Sequence, residues 1–226
     1  MRQPAWFYSV MATGLLASTL TTAGCAVLRT QSGAKTASLQ TVQGDLEYAQ
    51  LQTRETREAL DELAVSHEKD LKRAYKAFSD RVGRMTTVGD RLVRHADGMD
   101  DQGGEYLVQT EKSATECQFP RLSETAGTRP LELGEAFEPI AHGGTLVKRA
   151  YREFESDISK IRDNLSKHAT PRGVENIALF IRKAQVDGES LNYALERALS
   201  AVGKAKLVQE SGSAQTQAAP EGVATP

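Results

Sequence analysis

The chain has 226 residues and a formal net charge of −2, with 28 basic against 30 acidic side chains. A balance this near neutral excludes a general nucleic-acid binder, which carries a basic excess. Its two cysteines exclude both a disulfide-stapled miniprotein and a four-cysteine zinc site.

The first 24 residues read as a secretory signal. Met1 and Arg2 supply a short positive start, and Ala5 to Leu20 form an uncharged, largely apolar stretch of 16 residues. That is shorter than the roughly 20 residues of a membrane-spanning helix, and Ser and Thr interrupt it. The stretch ends in Thr21-Thr22-Ala23-Gly24-Cys25, followed by Ala26. Ala23, Gly24 and Cys25 resemble the lipobox of bacterial lipoproteins, with Thr22 standing where that family usually carries an aliphatic residue. The resemblance implies that the Cys25 thiol takes a thioether-linked diacylglyceryl group before the signal is cut, and that the new amino terminus is then acylated. One acyl chain gives marginal membrane binding, whereas two or three anchor stably, at about 0.8 kcal/mol per buried methylene. Ala26 resembles the sorting pattern for the outer rather than the inner membrane. The competing reading is a plain cleaved signal, or an uncleaved anchor, in which Cys25 is incidental.

Residues 26–37 are small and polar and lack a period, which predicts a tether. No proline occurs between Cys25 and Phe119. Because proline costs about 3 kcal/mol inside a helix, such a span permits long helices. Leu71, Tyr75, Phe78, Val82, Met85 and Leu92 lie on one stripe, and Leu39, Val42, Leu46, Ala49, Leu60 and Leu63 extend it backwards. The spacing predicts one long or once-broken helix over 38–96, with Gly83 and Gly89 as bends. Asp97-Gly98 and Gly103-Gly104 bracket an expected turn, and a shorter amphipathic helix is expected over 105–118. Pro120, Pro130, Pro139 and the pair Gly143-Gly144 predict an irregular connection over 119–144.

Helix returns over 145–168, where Val147, Tyr151, Phe154, Ile158, Ile161 and Leu165 repeat the 4,3 spacing. Thr170-Pro171 is a helix start, with a capping hydroxyl and proline where its missing N–H costs nothing. The last helix, 171–206, carries Ile177, Ile181, Ala184, Leu191, Leu195, Ala198 and Val202 on its stripe. Residues 207–226 are small and polar and read as a disordered tail. No strand-type alternation is visible.

Lys72-Arg73-Ala74-Tyr75-Lys76-Ala77-Phe78 recurs as Lys148-Arg149-Ala150-Tyr151-Arg152-Glu153-Phe154. The echo is either a repeated recognition face or a repeated packing pattern. The rings lie on the apolar stripe with the basic pair flanking it, as at a bundle edge, which favours packing.

Catalytic signatures do not emerge. His67, His95, His142 and His168 are isolated from one another, with no zinc-hydrolase pairing. Asp97, Asp100, Asp101 and Glu105 miss the calcium-loop spacing, since Met99 and Gln102 occupy its third and sixth positions. No serine has a hydrolase-elbow context and no glycine-rich phosphate loop follows a strand. Cys117, alone once Cys25 is acylated, is either buried and inert or available for an intermolecular disulfide.

The layout resembles an uncharacterised bacterial family of helical lipoproteins, the domain of unknown function 2959. The carriers are Cys25, the Tyr-containing helix Tyr151 to Leu165 and the last helix Val174 to Leu199, while the stretch 119–144 departs from that family's continuous helices. The resemblance implies a fold and an address and names no activity. The sequence thus predicts an all-α protein, an elongated, antiparallel coiled-coil-like bundle of three to four helices. Membrane lipid is its partner through acylated Cys25, in the cell envelope facing the periplasm. Its expected role is structural or interaction-based, through helix faces that bind another protein or the chain itself, with no nucleic acid, metal, cofactor or catalytic residue. The alternative is a lipid or small-molecule carrier with a cavity between helices.

Overall fold

The computed structural model describes residues 36–110, 128–167 and 169–217. The described residues belong to one compact unit, an all-α bundle.

Helix α1 (Leu39–Val65) begins where the Ser38 hydroxyl accepts a hydrogen bond from the Thr41 backbone N–H at 3.0 Å, satisfying one of the free donors of the first turn. The chain then breaks. Ser66 and His67 are both extended, with ψ of 133° and 161°, and α2 (Glu68–Gln102) starts with Glu68 and Asp70 in its first turn, where the helix dipole favours negative charge. The once-broken form of the helix expected over 38–96 is the one found, and the break is a reversal that makes a helical hairpin. Glu55 on α1 pairs with Arg81 on α2, while Asp45 lies 3.1 Å from Arg91, so the two helices run antiparallel. The stripe could not reveal the reversal, because both arms present the same periodic face to a common core.

Helix α2 runs unbroken through Gly83, Gly89 and the expected turn at Asp97-Gly98 and ends at Gly103, whose φ of 59° suits glycine. The expected helix over 105–118 is replaced, in its described part, by a 3-10 turn (Gly103–Tyr106) and strand β1 (Val108–Thr110). Strand β2 (Thr128–Pro130) pairs with β1 antiparallel, Val108 opposite Pro130. Three residues are too few to register as alternation, and Pro130, which has no N–H to donate, stands at the end of the ladder.

Helix α3 (Phe137–Lys167) starts eight residues before the predicted position. Pro139 falls in its first turn, where no backbone donor is required. Gly143 and Gly144 sit inside it where neighbours pack closely, Gly143 against the backbone of α5 and Gly144 against the end of the Met99 side chain. A Cβ on Gly143 would stand 3.2 Å from the Ala198 Cα, and one on Gly144 would stand 2.6 Å from the Met99 Cε. After Lys167, Thr170 caps the short α4 (Pro171–Asn176) by accepting from the Gly173 N–H at 3.1 Å. A break at Ile177 leads into α5 (Ala178–Gln217), which continues eleven residues past the expected end at 206.

Four long helices close the core. Tyr75 Oη donates to the Arg162 carbonyl at 3.0 Å between α2 and α3; Lys183 reaches Asp157 at 2.6 Å between α5 and α3; Arg57 reaches Glu189 at 2.8 Å between α1 and α5. Each neighbouring pair is antiparallel, with α1 and α3 on one diagonal and α2 and α5 on the other. Phe78, Tyr151 and Phe154 are fully buried at its centre among Leu60, Ile158 and Leu191.

Candidate functional site

Cys25, the lipidation residue expected from the sequence, lies outside the described residues, as do Cys117 and His168. What is described is the place where the chain from Cys25 joins the bundle. Ala37 forms a parallel bridge with Leu107: its N–H donates to the Tyr106 carbonyl at 2.8 Å, and its carbonyl accepts from Val108 N–H at 3.0 Å. The last residue of the expected tether is thus held by backbone hydrogen bonds beside β1, and the Leu131 N–H adds a further bond to the Leu107 carbonyl at 2.9 Å.

Beneath this junction lies a buried polar chain. His95 on α2 is 9% exposed. Its Nε2 is 2.8 Å from Asp45 Oδ2 on α1, and its Nδ1 is 2.8 Å from the Tyr106 hydroxyl. The Asp45 carboxylate only accepts, so Nε2 donates to it, and in the neutral imidazole Nδ1 accepts from the phenol. Burial pushes the Tyr106 hydroxyl above its ordinary pKa, Asp45 adds to that, and Arg94 opposes it. Arg91 Nε stands 3.1 Å from Asp45 Oδ1, a charge contact without hydrogen-bond alignment, and its guanidinium lies 5.6 Å from the centre of the Tyr48 ring. The ring of Tyr106 lies over Gly98, where a Cβ would overlap it.

Carboxylate, imidazole and hydroxyl in line share the order of a nucleophile relay, yet the terminal hydroxyl is buried and its pKa is raised rather than lowered. A nucleophile needs the opposite. What the chain of bonds does is fasten the 3-10 turn to α1 and α2. The cavity that His95 touches has ≈ 10 Å³ open to a water's centre and is otherwise apolar, walled by Val42, Leu46, Leu92, Met99 and Ile140. That is room for about one water, against the roughly 300–1,000 Å³ of a ligand pocket.

A second buried group braces α3 to α5. Asp157 is 3% exposed, and Lys183 Nζ lies 2.6 Å from both Asp157 Oδ2 and Asp187 Oδ2, with Lys160 at 3.5 Å from Asp157 Oδ1. Burial alone would raise the Asp157 carboxyl, but hydrogen bonds from Lys183 and the Asp187 carboxyl, with the charge of Lys160, hold it below the ordinary value. Asp187 moves the other way: burial raises it, and its carboxyl is the one disposed to hold a proton beside Asp157.

The Lys-Arg-Ala-Tyr echo packs inwards. Phe78, Tyr151 and Phe154 are fully buried and Tyr75 is half-buried, whereas Lys72, Arg73 and Arg149 are exposed. His67 is exposed at the start of α2. Asp97 pairs with Lys148 from within α2, so the carboxylates around it belong to a helix end rather than to a loop. Among the described residues, no group of three or more His, Cys, Asp or Glu is placed to hold a metal, and no helix is long and apolar enough to cross a membrane. The chain matches no family model, no curated protein and no solved structure.

The polar chain through His95 is not legible in the sequence, which shows four scattered histidines. One signal points to it: His95 falls three residues after Leu92 on the apolar stripe, a position from which a polar side chain must find a partner. The partners, 50 residues earlier and 11 later, depend on the hairpin.

Proposed function

We propose that this is a membrane-anchored periplasmic lipoprotein with a structural or protein-interaction role, resembling the helical lipoprotein family of domain of unknown function 2959. The observation that carries the reading is Ala23-Gly24-Cys25 at the end of a 16-residue apolar stretch that follows Met1-Arg2. Acylated Cys25 holds the protein to the inner face of the outer membrane, and the helix faces of the bundle meet a protein partner or a second copy. The firm junction at Ala37 supports this reading, because an anchored bundle is loaded through the segment that joins it to its anchor.

The chemistry of the interior agrees. Among the described residues, the His95 and Asp157 groups are built as cross-braces, and the cavity beside His95 has room for about one water. Transport of a lipid in the bundle core needs a larger or more open site.

The reading is tested by mass spectrometry of the protein purified from membranes. The N-terminal peptide is expected to begin at Cys25 and to carry the mass of a diacylglyceryl group plus an amide-linked acyl chain. An N-terminal peptide that retains Met1, or that begins elsewhere without lipid, overturns it.

A further inference from the structure

Helix α5 turns an apolar and cationic stripe to the outside. Leu179 is 72%, Val186 60% and Tyr193 62% exposed, one heptad apart. With Arg182, Arg197 and Lys204, all exposed, they fall within about 60° of arc at 3.6 residues per turn. No carboxylate lies in that arc. Glu189 and Glu196 turn towards α1, where they meet Arg57 at 2.8 Å and Gln50 at 3.5 Å.

The outer side of α1 carries the complementary set. Glu47, Leu51, Arg54, Glu58, Glu62 and Val65 are all exposed and fall within about 80° of arc, and Arg54 is matched by Glu58 at 4.0 Å. The two helices also share a register. Arg57 stands level with Glu189 and Gln50 with Glu196, so Val65 is level with Leu179, Glu62 with Arg182, Leu51 with Tyr193 and Glu47 with Arg197, each within about 3 Å of rise. Among the described residues neither Glu62 nor Arg182 is in an ion pair.

We propose that the α1–α5 face is the interface of a homodimer. A two-fold axis parallel to the helices lays α1 of one copy against α5 of the other and leaves every height unchanged. It therefore brings Glu62 to Arg182, Glu47 to Arg197, Leu51 to Tyr193 and Val65 to Leu179, each contact made twice. From 179 to 204 the stripe runs about 37 Å, and two helices side by side are about 20 Å across. That is about 700 Å² per partner, near the area of a standard stable interface. Both charge and apolar content match a second copy.

The proposal rests on the interaction reading above and goes further by naming the partner. The test is sedimentation of the full chain in a non-ionic detergent. Wild type is expected at the mass of two chains, and Glu62→Lys with Glu47→Lys is expected to raise the dissociation constant at least tenfold while the circular dichroism stays unchanged. Adding Arg182→Glu and Arg197→Glu to that variant restores the dimer. A dimer indifferent to these reversals overturns the proposal, as does a wild-type monomer. If that monomer crosslinks to another protein in intact cells, the interaction reading stands without self-pairing; if it crosslinks to nothing, both fail. A monomer that floats with anionic vesicles and loses this on Arg182→Glu assigns the stripe to membrane instead and also overturns the dimer.

Discussion

Gly89 and Gly83 both lie in the middle of α2 and look alike in the sequence, but they have opposite surroundings. A Cβ at Gly89 would overlap Cζ of the buried Tyr151 ring, while one at Gly83 would meet nothing within 4 Å. Gly89→Ala is therefore expected to destabilise the bundle by about 1–3 kcal/mol, since a closely packed core must shift the whole ring. Gly83→Ala is expected to stabilise it by up to about 1 kcal/mol, through better helix propensity at an exposed site. Urea melts of the two variants check both signs. If the two alanines behave alike, Tyr151 does not pack where the structure places it. The stripe makes Tyr151 and Phe154 legible as core residues. The glycine that receives Tyr151 reads as a bend, because a close approach between helices leaves no mark on a single helix's pattern.

At the scale of elements, the hairpin at Ser66-His67 and the brace between α3 and α5 each make a prediction. His67 is exposed, with φ −76° and no side-chain capping bond, and Ser66 before it is extended, as a residue before proline prefers to be. His67→Pro is expected to leave the melting midpoint unchanged or to stabilise the protein by about 0.4–1 kcal/mol, by restricting the unfolded chain. In a continuous helix over 38–96 the same change would cost about 3 kcal/mol. A melt that drops by that amount contradicts the hairpin.

The brace gives a pH dependence. Asp157 has its pKa lowered in the fold, so its contribution is present above the ordinary carboxylate value. It is lost as pH falls below about 4 towards the folded-state value. Asp187, whose pKa is raised, works against it: its deprotonation above the ordinary value lessens stability until the folded value is passed. Asp157→Asn is expected to lower stability at pH 7 and to flatten the decline below pH 4, read from chemical melts across pH 2.5–7. A variant whose decline matches wild type removes Asp157 from the acid response. Neither brace is legible in the sequence, because their residues are distant along the chain and meet only through the antiparallel register. Prolines and glycines mislead in a similar way: Pro139, Gly143 and Gly144 read as breakers, yet a first turn tolerates the proline and the glycines sit at close contacts with Ala198 and Met99.

For the molecule as a whole, the sequence is most specific at the end that the described residues do not reach, and the structure is most specific at the bundle. The all-α class follows from periodic apolar stripes and from the proline-free span, and the four antiparallel helices agree with it. The proposed address rests on three residues, Ala23, Gly24 and Cys25, whose meaning is chemical rather than conformational. Under that proposal bundle packing and membrane anchoring are separable. Phe154→Ala is expected to cost about 3–5 kcal/mol and to lower the amount of folded protein without changing where it resides; immunoblots of fractionated cells read both quantities at once. A loss of membrane association with Phe154→Ala at unchanged abundance would place the anchor in the bundle rather than at Cys25. The central claim is that Cys25 fixes the chain to the membrane, and fractionation of Cys25→Ser cells tests it most directly. Wild type is expected in the membrane fraction and the variant in the soluble fraction or as an unprocessed precursor; a variant that fractionates as wild type contradicts the claim.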